Sequence, residues 1–197
     1  MQTRFLPIHR LLPVLAAACL LLCFPRAARP ADVRTVAFTE YQIKAAFLFN
    51  FTQFIEWPTN AFTEVSAPIV IGVLGDDPFG TLLEQTVEGE LVHGRKVVIK
   101  RSKHPDDLKA CHLLFISRSE KGRLHQIREA LRGSPVVTVS DMEQFAGRGG
   151  IIGFIIHENK VRFEINLNAT EEAGVKISSK LIKLAVTVRD ERQKEQS

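Results

Sequence analysis

Two adjacent aspartates are the clearest candidate oxygen ligands in this sequence. Asp76 and Asp77 lie in the segment GDDPFG (75–80), directly after the apolar run APIVIGVLG (67–75). In an α/β sheet, the turn after a buried strand is a common place for a ligand. Two neighbouring carboxylates supply too few oxygen atoms for a hard cation, whereas an aspartate before a helix commonly caps it. Helix capping by Asp77 is therefore favoured over metal binding.

A second group of potential ligands lies in HPDDLKACH (104–112), which contains His104, Asp106, Asp107, Cys111 and His112. Their spacing matches no zinc motif. The glycine-rich GRGG (147–150) precedes an apolar strand-like run and lacks the following Lys-Ser or Lys-Thr of a phosphate loop. No serine has the flanking residues of a hydrolase nucleophile. We therefore expect a protein that is not an enzyme and has no metal ion or cofactor.

Helical and strand-like segments alternate along the chain. Continuous apolar runs predict buried strands, and apolar residues three and four positions apart predict helices. The predicted helices cover residues 40–57, 78–87, 119–132 and 178–190, and the predicted strands cover 67–75, 91–101, 111–117 and 135–140. Residues 151–168 predict a hairpin that turns at 158–160. This order predicts an α/β single-domain sandwich with a central, mostly parallel sheet, a C-terminal hairpin and helices on both faces.

The helix predicted at residues 40–57 is rich in aromatic residues and contains few side chains that could act in catalysis. Its apolar arc on a helical wheel comprises Ile43, Ala46, Phe47, Phe51, Phe54, Ile55 and Trp57. Lys44 and Asn50 fall within or beside that arc, where polar groups need partners. One interpretation is a central packing helix whose Lys44 reaches solvent along its aliphatic stem. The other is a ligand or partner surface that includes Lys44, Asn50, Glu56 and Trp57.

A strand with strict alternation lies near the C-terminus. In VRFEINL (161–167), apolar residues alternate with Arg162, Glu164 and Asn166. This pattern predicts a half-buried strand whose polar face is exposed or paired. Arg162 and Glu164 are therefore candidates for a partner surface.

The first 31 residues have the order of a secretory signal peptide. Arg4 and Arg10 precede an apolar run from Leu11 to Phe24, which is short for a membrane-spanning helix. A lipoprotein-type cleavage before Cys19 and an uncleaved N-terminal anchor remain alternatives. The signal peptide and both alternatives all imply export from the cytoplasm. We assign residues 1–31 to the leader, 38–188 to one α/β domain and 189–197 to a charged flexible tail, with no membrane span after cleavage.

The leader also accounts for the basic charge of the chain. The chain contains 26 Lys and Arg against 22 Asp and Glu, a net charge of +4. Four of the arginines and none of the acids lie in residues 1–31, so the mature chain has 22 of each. A neutral chain gives no reason to expect a nucleic-acid partner.

Cys111 is the only cysteine beyond the leader, which contains Cys19 and Cys23. One cysteine cannot form an internal disulfide. Because Cys111 opens the apolar run CHLLFIS (111–117), a buried, inert thiol is favoured over an intermolecular disulfide.

Five segments in succession resemble a known family. They are YQIKAAFLFNFTQFIEWP, IVIGVLGDDPFG, CHLLFIS, VVTVSDMEQFAGRGGIIGF and VRFEINLNATEEAGVKISSKLIKLA, which together extend from about Tyr41 to Ala185. Their order is similar to that of the YfiR-type periplasmic proteins. The resemblance implies a small secreted α/β domain that represses an inner-membrane diguanylate cyclase by binding its periplasmic portion. It also implies control of cyclic di-GMP, biofilm and exopolysaccharide output, and dimerisation.

The sequence departs from that family at one position. Redox-responsive members carry a cysteine in the strand before GDDPF that pairs with the cysteine of the CHLLFIS block. Gly72 stands in that strand here, which leaves Cys111 unpaired. Repression itself needs a docking face more than a disulfide. The alternative function is a periplasmic small-molecule-binding module, with a pocket near Lys44, Asp76 and Asp77, that feeds a sensor kinase or a transporter.

Overall fold

The computed structural model describes residues 33–190, which begin with the long helix α1 (Val33–Gln53). The predicted end of this helix at residue 57 is wrong, because Ile55–Glu56 form a short strand, β1. β1 pairs antiparallel with β9 (Lys176–Ile177), and the N–H of Ser178 donates to the carbonyl of Phe54 at 2.9 Å. Ladder hydrogen bonds and a β-branched residue at 55 thus replace the last helical turn. No helix in the described part of the chain is both long and apolar enough to cross a membrane.

One eight-stranded sheet forms the centre of the molecule. Its strands are β2 (Ile69–Leu74), β3 (Leu91–Val92), β4 (Arg95–Ser102), β5 (Leu113–Ile116), β6 (Val137–Ser140), β7 (Ile152–His157), β8 (Lys160–Asn166) and β10 (Thr187–Arg189), whereas β1 and β9 form a separate two-stranded sheet. The order is β10-β8-β7-β6-β5-β2-β4-β3. The neighbours from β4 to β7 are all parallel, and β7 and β8 form an antiparallel hairpin. The predicted fold class is confirmed.

Helices and short turns cover both faces of this sheet. The shorter helices are α2 (Leu82–Val87), α3 (Leu124–Leu131), α4 (Leu167–Glu172) and α5 (Ser179–Ile182), and 3-10 turns occur at Thr59–Ala61, Pro105–Leu108, Arg118–Arg123 and Ala146–Arg148. α1 and α2 pack on one face in the larger core, and α3 packs on the other in a second core. Alternate residues of β5 serve the two cores, with Phe115 in the first and Leu114 in the second. Both faces of the central strands are therefore buried, which explains their continuous apolar runs.

Two predicted elements differ from the structure. The segment 91–101 is a hairpin of β3 and β4, since His93 and Gly94 adopt positive φ angles of 51° and 77° and reverse the chain. The predicted helix 178–190 is wrong beyond its first turn, because α5 ends at Ile182 and β10 then joins the sheet parallel to β8. The β-branched residues of this segment suit the free edge of β8 better than a helix.

The buried face of α1 is rotated from the predicted arc. Among residues 39–53 of α1, the fully buried ones are Lys44, Ala45, Leu48, Phe51 and Thr52, whereas Ile43 from the predicted arc is 42% exposed. Polar contacts cause this difference: Lys44 is held inside by carboxylates, and the Thr52 hydroxyl donates to the Phe49 carbonyl at 2.6 Å. The prediction that Lys44 reaches solvent is wrong.

Candidate functional site at the carboxyl edge of the sheet

The charged side chains that meet in the interior lie where the parallel strands end. Arg118 follows β5, Asp141 follows β6, and the middle turns of α1, which carry Glu40 and Lys44, pass over them. We call this end of the sheet the carboxyl edge. Loops after parallel strands converge at such an edge, so residues far apart in sequence become neighbours.

The position of Asp141 is fixed by the serine before it. The Ser140 hydroxyl donates to the carbonyl of Ile116 at 2.7 Å and accepts the N–H of Met142 at 3.1 Å. These bonds link the ends of β5 and β6 and turn the chain sharply after the strand. The Asp141 side chain is thereby directed inward, and only 2% of its surface is exposed.

Lys44 and Asp141 form a buried ion pair. Lys44 is 1% exposed, and its Nζ lies 2.6 Å from Oδ2 of Asp141 and 2.5 Å from Oε1 of Glu40. The ammonium also lies 4.4 Å from the centre of the Tyr41 ring, a cation–π distance. Two carboxylates and a ring face thus replace the water that Lys44 loses on burial.

The other two contacts of Asp141 come from Tyr41 and Arg118. The Tyr41 hydroxyl donates to Oδ2 at 2.8 Å, and burial together with the Asp141 charge raises the pKa of the phenol. The Arg118 Nε lies 3.1 Å from Oδ1 and donates its hydrogen to the Asp141 carbonyl at 3.2 Å. Oδ2 thus accepts hydrogen bonds from Lys44 and Tyr41, whereas Oδ1 is buried without a hydrogen-bond partner and is stabilised by the nearby Arg118 charge. Because Asp141 lies between two cations, the arrangement suits rigid positioning of a surface better than proton transfer.

An open cavity of about 480 Å³ lies over this ion pair. Its apolar side is formed by Phe154, Ile155, Ile156 and Met142, and its charged side by Glu40, Lys44, Arg118, Lys121, Asp141 and Glu143. The volume is in the range of small-molecule sites, and an inserted side chain of a partner fits the same space. Among residues 33–190, no group of three or more His, Cys, Asp and Glu side chains is placed to hold a metal ion.

The two aspartates after β2 lie at the same edge but do not line the cavity. Asp77 accepts the N–H of Phe79 at 2.8 Å and pairs with Arg101 at 2.6 Å, so it stabilises the turn before α2. The prediction that Asp77 caps this helix is wrong, because α2 begins only at Leu82, after Thr81. Asp76 is exposed and lies 3.2 Å from the Nζ of Lys103. The pocket expected near Lys44, Asp76 and Asp77 is therefore built from Asp141 and Arg118 instead.

The other candidate residues lie elsewhere. Asn50 and Glu56 are exposed on α1 and β1, and the indole of Trp57 donates to the carbonyl of His112 at the opposite end of the sheet. On β8, Arg162 is exposed, whereas Glu164 is buried and lies 3.5 Å from Arg189 of β10. The structure does not bring these residues together with Lys44.

Sequence reasoning missed Asp141, Tyr41, Arg118 and Ile156. The motif VVTVSD contains a usable signal, since an acid that directly follows a buried strand in an α/β sheet points to the carboxyl edge. Ile156 carries no such signal, because an apolar residue near the end of a strand looks the same whether it is buried or exposed.

Cys111 is buried in the second core, and burial raises the pKa of its thiol to about 11. A Cβ atom built on Gly72 would lie 2.8 Å from its Sγ and 3.4 Å from its Cβ. The strand before GDDPF thus faces Cys111 directly, and the glycine leaves room for the thiol. The thiol is inert at neutral pH because it stays protonated.

Two of the solved structures that this chain resembles are distant likenesses. One is a conserved domain protein from Vibrio cholerae O1 biovar El Tor strain N16961, with 14% identity and a TM-score of 0.46 over 61% of this chain and 55% of that one. Another is the ABC domain from Streptococcus pneumonia in complex with L-Trp, with 11% identity and a TM-score of 0.46 over 78% of this chain and 60% of that one. The chain thus spans little more than half the length of each, and neither likeness supports a functional argument.

Comparison with protein families is decisive. Residues 41–186 match the family described as YfiR/HmsC-like. The match begins at Tyr41 of the ion-pair site, includes every strand from β1 to β9, and ends just before β10. The chain belongs to the YfiR/HmsC-like family.

Proposed function

We propose that this protein is a periplasmic regulator that binds and represses the periplasmic portion of an inner-membrane diguanylate cyclase. Through that contact it controls cyclic di-GMP signalling and the output of biofilm and exopolysaccharide. The observation that carries the proposal is the family match over residues 41–186. Export by a leader at residues 1–31, which lie outside the described residues, and dimerisation belong to the same proposal.

We place the docking face at the carboxyl edge. The rings of Phe47 on α1 and Phe154 on β7 lie 6.0 Å apart. Ile43 lies one helical turn before Phe47 on α1, and Ile156 lies two residues after Phe154 on β7. The two isoleucines therefore extend the contact between these rings outward. They are 42% and 59% exposed, and Ile156 also lines the cavity; exposed aliphatic side chains of this kind are typical of interaction sites.

The charges around this face favour a protein partner. Arg118 and Lys121 project at the rim of the cavity, above the buried Lys44–Asp141 pair. An apolar centre with a charged rim is the common anatomy of a protein interface. The buried ion pair holds α1 against the end of β6, the strand next to β7, and so keeps the two isoleucines in place, which lowers the ordering cost of binding.

A periplasmic crosslinking pull-down from the native host tests this proposal. The tagged protein is compared with Ile156→Glu, which places a charge in the docking face, and with Val65→Glu, which places the same charge on a residue that is 93% exposed elsewhere. We expect the tagged protein and Val65→Glu to capture a diguanylate cyclase and Ile156→Glu to lose it. Capture of no cyclase by the unmodified protein would contradict the proposed function, and equal capture by all three would contradict the docking face.

A second candidate function is a small-molecule-binding module that feeds a sensor kinase or a transporter. The cavity of about 480 Å³, with its apolar and charged sides, favours it. Thermal-shift screening of the purified domain against periplasmic metabolites tests it, with Arg118→Ala as the site variant and Arg132→Ala, directly after α3, as the control. A stabilising ligand whose effect is lost only in Arg118→Ala supports this function, and a screen without such a ligand counts against it.

A further inference from the structure

A buried histidine lies at the opposite end of the sheet from the cavity. His112 precedes β5 and is only 4% exposed. Its ring stacks on Phe62, with centres 4.4 Å apart, and meets Trp57 edge-on at 5.6 Å. Both aromatic residues belong to residues 54–68, the segment between α1 and β2, which we call the strap. The imidazole is therefore covered by the strap.

The hydrogen bonds of His112 define its protonation state. The backbone N–H of Val70 donates to the ring Nδ1 of His112 at 3.1 Å, and the backbone N–H of His112 donates to the Val70 carbonyl at 2.9 Å. The regular β2–β5 ladder begins only at Ile71 and Leu113, so the ring replaces a missing carbonyl at the end of the ladder. Because Nδ1 accepts, the proton of the neutral ring is on Nε2, which is buried without a hydrogen-bond partner.

Two residues attach the strap to the sheet at this point. The Trp57 indole donates to the carbonyl of His112 at 3.0 Å. Arg95 of β4 lies 3.9 Å over the Phe62 ring and donates to the carbonyls of Ala67 at 2.6 Å and Glu64 at 3.4 Å. The strap is therefore attached to the sheet at two points, through Trp57 at His112 and through the guanidinium of Arg95.

The groups around His112 oppose a positive charge on its ring. Burial lowers the pKa of His112, and the nearby Arg95 charge lowers it further, although the carbonyl of Ala61 partly offsets both. Cys111 beside it stays a neutral thiol. Glu56 and Glu64 of the strap are exposed, and neither ring nitrogen is hydrogen-bonded to a carboxylate. A second proton would sit on Nδ1 and face the Val70 N–H, so it would remove that bond.

We propose that His112 is a proton-operated latch, which holds the strap on the sheet when neutral and releases it when the surrounding medium becomes mildly acidic. A domain that is exported from the cytoplasm is exposed to the pH of the medium around the cell. Release would also loosen β1, through which the strap pairs with β9. The latch is a property of the domain alone, and only its use as a signal for repression rests on the proposed function.

The pH range follows from the direction of the shift. An unfolded histidine titrates near pH 6.5, and the folded state resists protonation. The stabilising effect of neutral His112 is therefore complete above about pH 6.5 and declines as the pH falls from there through the lower pKa of the folded state.

Fluorescence of the sole tryptophan, Trp57, reports the latch directly. The mature domain is titrated from pH 8 to pH 4 together with His112→Asn, whose side-chain oxygen can accept the Val70 N–H but does not titrate. His125→Gln, on the exposed face of α3, is the matched control. We expect a reversible red shift with a midpoint below about 6.5 in the native domain and in His125→Gln, and none in His112→Asn. An unchanged titration in His112→Asn, or no titration in the native domain, would overturn the latch.

Hydrogen exchange of the native domain keeps the test valid if His112→Asn does not fold. Exchange at pH 7.5 and pH 5, corrected for intrinsic rates, should show faster exchange at pH 5 in residues 54–70 and little change in α3. Unchanged protection of the strap would contradict the latch. Both measurements use the isolated domain, so a failed latch and a failed cyclase pull-down are separate results.

Discussion

The two ends of the sheet treat buried ionisable groups in opposite ways. At the carboxyl edge, Lys44 and Asp141 lie in contact and are supported by Glu40, Tyr41 and Arg118. At the opposite, amino end of the sheet, His112 is covered by aromatic rings, and only one of its two ring nitrogens has a hydrogen-bond partner. Burial lowers the pKa of this histidine. One end pairs its charges, and the other keeps its group neutral.

This difference separates a rigid region from a responsive one. A buried charge is tolerated only with partners, and once paired it resists any change that removes one of them. A buried neutral histidine needs no partner charge, but it titrates within reach of mild acid. The carboxyl edge is therefore suited to present a fixed docking face, and the amino end is suited to respond to conditions.

The largest expected loss of stability comes from truncating a side chain in the apolar layer behind the ion pair. Phe51 is fully buried and its ring centre lies 5.0 Å from that of Phe163 and 5.8 Å from that of Phe154. Phe51→Ala should lower the free energy of unfolding by about 3–5 kcal/mol. Phe54→Ala, at a half-buried position, should cost clearly less. Urea unfolding measures both, and equal losses would show that α1 does not pack through Phe51.

Breaking the charge pair comes next. Lys44→Met leaves Asp141 buried with only Tyr41 and Arg118, and should cost about 3 kcal/mol. Lys103→Met, which removes an exposed ion pair with Asp76, should cost less than about 0.5 kcal/mol. The double variant Lys44→Met/Asp141→Leu should recover part of the loss in a double-mutant cycle. A single-variant cost no greater than that of Lys103→Met would refute the importance of the buried pair.

A smaller effect tests the hydroxyl that supports Asp141. Tyr41→Phe keeps the ring contact with Phe79 but removes the 2.8 Å hydrogen bond, and should cost about 1 kcal/mol. The raised pKa of Tyr41 means that the phenol stays protonated at alkaline pH. Absorbance titration at 295 nm should therefore show that the native domain, which contains one tyrosine, does not ionise near pH 10. Ionisation near pH 10 would show that the hydroxyl is not buried against Asp141.

The smallest effect on stability concerns the centre of the sheet between the two ends. Gly72→Cys should form a disulfide with Cys111 on oxidation, because the new Cβ lies 3.4 Å from the Cβ of Cys111. Leu114 must shift, since its Cδ1 lies 2.8 Å from the new Cβ, so the net change in stability should stay within about 1 kcal/mol. Gly122→Cys, at an open position, is the control. Mass spectrometry distinguishes the disulfide from two free thiols, and free thiols in Gly72→Cys would contradict the geometry.

The sheet could be predicted from the sequence because its signals are local. The runs that form β2 and β5 contain no polar side chain, and the segment around Glu158 and Asn159 turns the β7–β8 hairpin with positive φ at both residues. β10 could not be predicted this way. Its conformation depends on the free edge of β8, which only the assembled sheet provides.

The site could be predicted only in part. Lys44 stands out because a lysine in an apolar arc demands a partner, but that partner is Asp141, 97 residues away. The place of Asp141 directly after a buried strand indicates the carboxyl edge, but nothing in the local sequence indicates that Lys44 is its partner. The rotation of α1 that buries Lys44 and exposes Ile43 follows from this distant contact, so the helical wheel alone placed the buried face wrongly.

Site-specific photocrosslinking in the periplasm of the native host tests the central claim most directly. A photoreactive amino acid is placed at Ile156 in the docking face or at Val65 on the strap, and the adducts are identified by mass spectrometry. We expect an adduct with an inner-membrane diguanylate cyclase from position 156 and none from position 65. A cyclase adduct from position 65 but not 156, or from neither, would contradict the claim.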